Sequence, residues 1–159
     1  MLISLPEAKA HLRVIGDDEN DDIQAKLDGA INAAIDFIDC DLYASQEELD
    51  AAIAAAPQAM ADARLAYTTA LAMLNTMENR FDAELMVDLT NIALTRSIAA
   101  LKRSYRGVVI TNSIKTGILM ILGHLYANRE TTVVTNGQGI DIPMGAHSFL
   151  WLYRCGMGV

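Results

Sequence analysis

From Leu49 to about Arg106 the chain is almost continuously helical in composition, and this block limits the fold more than any other feature. It is rich in alanine, the strongest helix former, and the 159-residue chain holds only three prolines, Pro6, Pro57 and Pro143. Ser45-Gln46-Glu47-Glu48 opens the block as a capping box. Helix breaks are expected at Pro57 and around Asn79 to Asp82. Tyr67, Leu71 and Leu74 stripe one helix, and Leu85, Leu89 and Ile92 stripe the next. Two antiparallel helices joined near Arg80, an αα-hairpin, form the simplest arrangement. Its alanines permit close helix contact or an exposed arm, and both stay open at this point.

On either side of that block the pattern is also mostly helical. Ser4-Leu5-Pro6-Glu7 is a first capping box, predicting a short helix that ends near Arg13. Gly16-Asp17-Asp18 makes a turn, with its acids at the positive end of the next helix dipole. Ile23, Leu27, Ile31, Ile35 and Ile38 then recur every three or four positions, one apolar stripe on a helix of about five turns. Asp28, Asn32, Asp36 and Asp39 take its wet side. Gly107 stops the central block, and Thr111-Asn112-Ser113 caps a helix from Ile114 to about Asn128. That helix is apolar almost all round and is expected at the buried centre. Thr131 to Thr135, Asn136-Gly137 and Gln138 to Ile142 predict a β-hairpin with a type I′ turn. His147 to Tyr153 reads as a last short helix or an extended segment. The expected fold is therefore mostly α: a helical bundle with a long central helical hairpin and one small β-hairpin near the C-terminus. A single domain, residues 1–159, carries residues 45–109 as the hairpin.

Charge narrows the function. The formal net charge is −8, which argues against a protein that grips nucleic acid over a broad face, since that needs clustered Lys and Arg. The 52% hydrophobic content excludes an intrinsically disordered chain. Residues 1–50 hold 13 acids and 3 bases, whereas residues 51–159 hold 7 acids and 9 bases. Asp17, Asp18, Asp21 and Asp22 at one end, and Arg96, Lys102, Arg103 and Arg106 at the other, are either solvated helix faces or candidate interface charges that attract within one subunit or between neighbours. Cys40 and Cys155 are too few and too far apart for a disulfide framework or a zinc site, so two free thiols are expected. No apolar run approaches the ~20 residues of a membrane span, and the first residues lack a signal-peptide pattern. A soluble protein is expected.

The candidates for chemistry are weak. His11, His124 and His147 form no H-x-x-x-H pair, and Glu7 with His11 is a surface pair one turn apart. His124 is expected as a hydrogen-bonded core histidine. Ser113 and Ser148 lack the G-x-S-x-G elbow. Gly137-Gln138-Gly139 lacks the strand-to-helix setting of a phosphate loop. The acids from Asp17 to Asp22 lack the spacing of a calcium loop. No catalytic residue, cofactor or metal is predicted, and the chain is not expected to be an enzyme. Phe149-Leu150-Trp151-Leu152-Tyr153-Arg154 gathers the only tryptophan with Phe, Tyr and Arg, the types that dominate interface hot spots. It either closes the chain's own core or docks on a partner, and Gly156 and Gly158 beyond it favour a mobile end.

Three segments together resemble the head–tail connector family of long-tailed double-stranded DNA phages. Leu5-Pro6-Glu7-Ala8-Lys9-Ala10-His11-Leu12-Arg13-Val14, then Gly16 to Ile23, resembles the family's opening helix, acidic turn and second helix. Ile114-Lys115, then Gly123-His124-Leu125-Tyr126-Ala127-Asn128-Arg129-Glu130, resembles its buried helix, with Leu125 where Trp is frequent. Ile142-Pro143-Met144-Gly145 through Leu150 to Tyr153-Arg154 resembles its ending, with Met144 where Phe is frequent. Residues 45–109 depart from shorter members as an inserted or elongated hairpin. Asn128, Arg129 and Glu130 read as a structural junction: Asn suits a left-handed helix end, and the charged pair fixes the exit of the chain. The resemblance implies a virion protein made in the host cytoplasm and located at the neck. Its partners would be copies of itself in a ring, by resemblance a dodecamer, the portal protein, and a tail-side head-completion or stopper protein. Double-stranded DNA would pass through the lumen without specific binding. A free-standing helical regulatory or protein-binding module is the alternative from another class, and a small hydrolase is a distant third.

Overall fold

The computed structural model describes residues 2–74, 79–128 and 144–155. The elements in chain order are α1 (Leu5–Leu12), α2 (Asn20–Ile38), β1 (Leu42–Tyr43), α3 (Gln46–Leu74), α4 (Arg80–Tyr105), β2 (Val108–Val109), α5 (Asn112–Ala127) and α6 (Met144–Leu150), followed by a 3-10 turn at Trp151–Tyr153. They form two compact units: residues 1–45 with 108–159, and residues 46–107. The mostly helical bundle expected from the sequence is present, with its central helical hairpin. The expected β-hairpin at 131–142 lies outside the described residues.

In the first unit α2, α5 and α6 pack on one another, and α1 covers α2 and α5. Ser4 caps α1 by accepting the Glu7 amide, and the helix ends at Arg13 in the left-handed region, φ 59°. Along α2 the fully buried line is Ile23, Leu27, Ala30, Ala34 and Ile38, flanked by Ile31 and Ile35. The small alanines let α5 approach closely, and α5 meets them with Ile114, Ile118, Ile121 and Leu122. Gly117 faces α6 so tightly that a Cβ there would lie 3.0 Å from the Leu150 side chain. Each fully buried Leu or Ile contributes about 1.5–3 kcal/mol. The core contains no buried polar residue among those described.

β1 and β2 pair in parallel, Leu42 with Val108 and Tyr43 with Val109. Amides of Val108 and Ile110 donate to the carbonyls of Asp41 and Tyr43 at 2.9 and 2.8 Å. This short pairing, unanticipated from sequence, holds the departure and return of the chain side by side around residues 46–107.

Those residues form the second unit, α3 packed on α4. Asn79 caps α4 by accepting the Phe81 amide at 3.0 Å, at the break expected there. The break expected at Pro57 is absent: α3 runs through it for 29 residues. Pro57 and Ile53 are exposed, so the carbonyl deprived of a helix hydrogen bond can be hydrated, and the surrounding alanines sustain the helix.

The cysteines are also a correction. Cys40 and Cys155 form a disulfide, with Cα atoms 5.9 Å apart. Their 115-residue separation carries no local signal, because the fold brings the end of α2 and the turn after α6 together. The Cys155 amide donates to the Ile38 carbonyl at 2.7 Å at the same junction.

Candidate functional site

The segment expected to dock on a partner divides between interior and surface. Leu150 is fully buried, as is Ala146 one turn before it, so α6 closes the first unit's own core. Tyr153 accepts a hydrogen bond from the Thr111 hydroxyl at 3.1 Å, and its phenol is held below its ordinary pKa, first by that bond and then by one from Ser113. Phe149 and Trp151 are each 39% exposed, and Leu152 is 84% exposed. Leu150 and Tyr153 therefore leave the candidate docking set, while Phe149, Trp151, Leu152 and Arg154 remain on the surface. Tethering by Cys155 also means that residues 149–155 are anchored; Gly156 and Gly158 lie outside the described residues. Deleting residues 149–159 would remove a core leucine and the disulfide together, so docking is better probed by single surface substitutions.

Around Trp151 the fold assembles a cluster that sequence reasoning missed in part. The His147 ring stacks on Trp151 at 5.2 Å between centroids, and meets Phe37 edge-on at 4.6 Å. The Arg154 guanidinium lies 5.7 Å from the centroids of both Phe37 and Trp151, within cation–π range. Phe37 belongs to α2, and its place beside the apolar stripe is the one signal that could have marked it. The cluster combines aromatic rings with a cationic head at a partly exposed surface.

The candidate interface acids sit at the start of α2. Lys9 donates to Asp17 at 2.7 Å and to Asn20 at 2.8 Å, and the Asn20 amide donates to Asp17 at 3.2 Å. Asp22 pairs with Lys26 one turn on. Asp18 and Asp21 are exposed. The hydrogen bond from Lys9, then that from Asn20, and the Lys9 charge hold the Asp17 carboxyl below its ordinary pKa of 3.8. A depressed carboxylate contributes stability above its unfolded pKa and loses it as pH falls through the folded value. That contribution is small because the Asp17 side chain is 87% exposed. Lys9→Met should raise the Asp17 pKa toward 3.8 in an NMR titration of its carboxyl carbon; an unchanged titration would mean Lys9 is not the cause.

The candidate interface bases Arg96, Lys102, Arg103 and Arg106 belong to the second unit; Arg96, Lys102 and Arg106 are exposed and Arg103 is half-buried. Lys115, which follows them in sequence, pairs with Glu7 at 3.3 Å. At the expected junction, Asn128 ends α5 at φ −111°, outside the left-handed region. Its side-chain amide instead donates to the His124 carbonyl at 2.9 Å. Arg129 and Glu130 lie outside the described residues. His124 is exposed, contrary to the expected core position, because the buried face of α5 turns through Ile121 and Leu122 and away from it. The Tyr126 hydroxyl, on the same helix, donates to the Glu19 carboxylate.

In the second unit the stripe expected on α3, Tyr67, Leu71 and Leu74, is covered, whereas the stripe expected on α4 is displaced. The residues of α4 turned toward α3 are Ala83, Val87, Thr90, Leu94, Ile98 and Leu101, all partly covered. Leu85 and Ile92 lie on the opposite side and are 54% and 46% exposed, whereas Leu89, 50% exposed, borders a groove between the two helices with Ala66 and Ala70 of α3. Against α4, the covered line of α3 is mainly alanine, including Ala52, Ala56, Ala59, Ala63 and Ala70. The Tyr67 hydroxyl and the Asn91 side-chain oxygen, 3.0 Å apart, set the relative level of the two helices.

Among the described residues no three His, Cys, Asp or Glu side chains gather into a metal-binding group, and no helix is long and apolar enough to cross a membrane. No family model, curated protein or solved structure matches this chain.

Proposed function

We propose that this chain is a head–tail connector subunit that assembles as a ring under the portal of a long-tailed phage. One observation carries the proposal beyond the sequence resemblance. The segments bearing it, in α1, the acidic turn with the start of α2, α5, and α6 with its following turn, all fall in one compact unit, and the segment that departs from it, 46–107, forms the other. This is the arrangement expected of a family core carrying an elaborated arm. The ring extends the DNA channel and links portal to tail-side protein; its work is binding and sealing, with no turnover. A net charge of −8 suits a conduit through which DNA slides without being held.

Negative-stain electron microscopy of the purified protein, alone and on portal-bearing heads, tests this reading. Rings with a central hole, located at the neck, are the expected result. A monodisperse monomer or dimer that never associates with heads overturns it and favours the free-standing module.

A further inference from the structure

Beyond Leu150 the described chain turns two side chains back toward the core of the first unit, Tyr153 and Cys155, both half-buried. Trp151, Leu152 and Arg154 are exposed. The turn that carries the aromatic surface is therefore pinned at two points. One is the hydrogen bond from Thr111 to Tyr153 at 3.1 Å, and the other is the tie of Cys155 to the end of α2. The fully buried core side chains, Ile23, Leu27, Ile118, Leu122 and Leu150 among them, all precede that turn. The Cys155 amide donates to the Ile38 carbonyl at 2.7 Å, which keeps the two cysteines close whether or not their sulfurs are joined.

The two sulfurs stand in different surroundings. Cys40 is fully buried, between Asp39 and Asp41 at the C-terminal, negative end of α2. Burial and nearby negative charge both disfavour a thiolate there. Cys155 is half-buried and follows Arg154, whose charge favours one. Exchange chemistry begins at an accessible sulfur, and only Cys155 offers it.

We propose that Cys40 and Cys155 form a redox-sensitive latch on the C-terminal turn, worked through Cys155 by low-molecular-weight thiols and disulfides. In closing, the Cys155 thiolate attacks one sulfur of a small disulfide, whose S–S bond breaks to release one thiolate and leave a mixed disulfide on Cys155. Cys40 then gives up its proton and attacks the Cys155 sulfur, expelling the second small thiolate. Two protein thiols are oxidised to one disulfide, and one small disulfide is reduced to two thiols. Opening is the reverse, with a small thiolate attacking Cys155 and Cys40 leaving. Closed, the latch holds Trp151 on His147 and Arg154 over the outer rings. Open, the unit keeps its core while the turn is left with its hydrogen bonds alone. A reducing medium opens the latch and an oxidising one closes it. The latch is independent of the connector reading, since it sets whether the aromatic surface is held, whatever that surface meets.

Full-length protein equilibrated in glutathione buffers, from fully reduced to fully oxidised, tests the latch. Mass spectrometry after acid quenching should show the bond opening and reclosing within that range. Trp151 emission should follow the fraction closed, while the α5 amides stay protected from hydrogen exchange in both forms. In the reduced protein, limiting iodoacetamide should alkylate Cys155 about tenfold or more faster than Cys40. Oxidised glutathione should accumulate as a mixed disulfide on folded C40A, which lacks the resolving sulfur, and not on folded C155A. A bond that no glutathione ratio opens without denaturant is a fixed cross-link and overturns the proposal. Loss of α5 protection on reduction overturns it as well, because the bond would then hold the core. Equal alkylation of the two cysteines removes Cys155 as the point of entry, and Trp151 emission indifferent to the bond removes the latch's effect; either result sinks the idea.

Discussion

Leu122→Ala destabilises the first unit by about 2–5 kcal/mol, the cost of a cavity where α5 meets the rest of the core. Leu122 is fully inaccessible, as is Ile118 one turn before it. Both sit on a helix whose buried face packs on α2 and, through Gly117, on α6. The neighbouring buried groups on α2 include alanines with no longer side chain to swing into the void, so relaxation is limited. Leu49→Ala, at a half-exposed position in the first turns of α3, costs far less. The readout must separate the units. Circular dichroism is weighted toward the 29- and 26-residue helices of the hairpin, whereas the only tryptophan, Trp151, reports on the first unit. Denaturant unfolding followed by Trp151 fluorescence should show the Leu122 loss in full. Equal losses for Leu122→Ala and Leu49→Ala by that probe would mean that α5 is not the centre of the core.

The parts legible in the sequence were those decided locally. The Ser4 capping box, the Asn79 boundary and the long α2 stripe each place a helix through backbone hydrogen bonding or periodicity within a few residues, and the structure has them. The misread parts were decided by partners. Apolar periodicity on α4 marks Leu85, Leu89 and Ile92, but the side facing an alanine-lined α3 is chosen by close approach, which favours Val87, Thr90 and Leu94. His124 follows apolar residues and precedes Leu125 and Tyr126, yet a helix of 3.6 residues per turn still has an outward face, and position 124 falls on it. Pro57 marks a break only where the freed carbonyl is denied water. Of the candidate contact residues, the exposed aromatics were legible from composition, whereas their bracing by Phe37 and His147 depends on how α6 meets α2.

Reduction of the Cys40–Cys155 disulfide, or its replacement in a C40S/C155S variant, is expected to lower the stability of the first unit by about 2–5 kcal/mol. The bond spans 115 residues, and closing so long a loop removes much conformational freedom from the unfolded chain. On the native side little else is at stake: the hydrogen bond from the Cys155 amide to Ile38, and the packing of the fully buried Cys40. The loop encloses the whole of the second unit, residues 46–107, but leaves its helix–helix packing untouched. The loss should therefore appear in Trp151 fluorescence and leave the hairpin's share of the helical signal in place. Locally, the tether also holds the turn that presents Trp151 to His147 and Phe37 and sets Arg154 over both outer rings. With the bond open, Trp151 emission should shift to the red under native conditions as that stack loosens, before global unfolding begins. Thiol labelling of the intact protein should find no reactive cysteine until reductant is added. Coincident unfolding curves with and without reductant would show that the core alone holds the C-terminal segment in place, and that the exposed aromatic surface needs no covalent anchor.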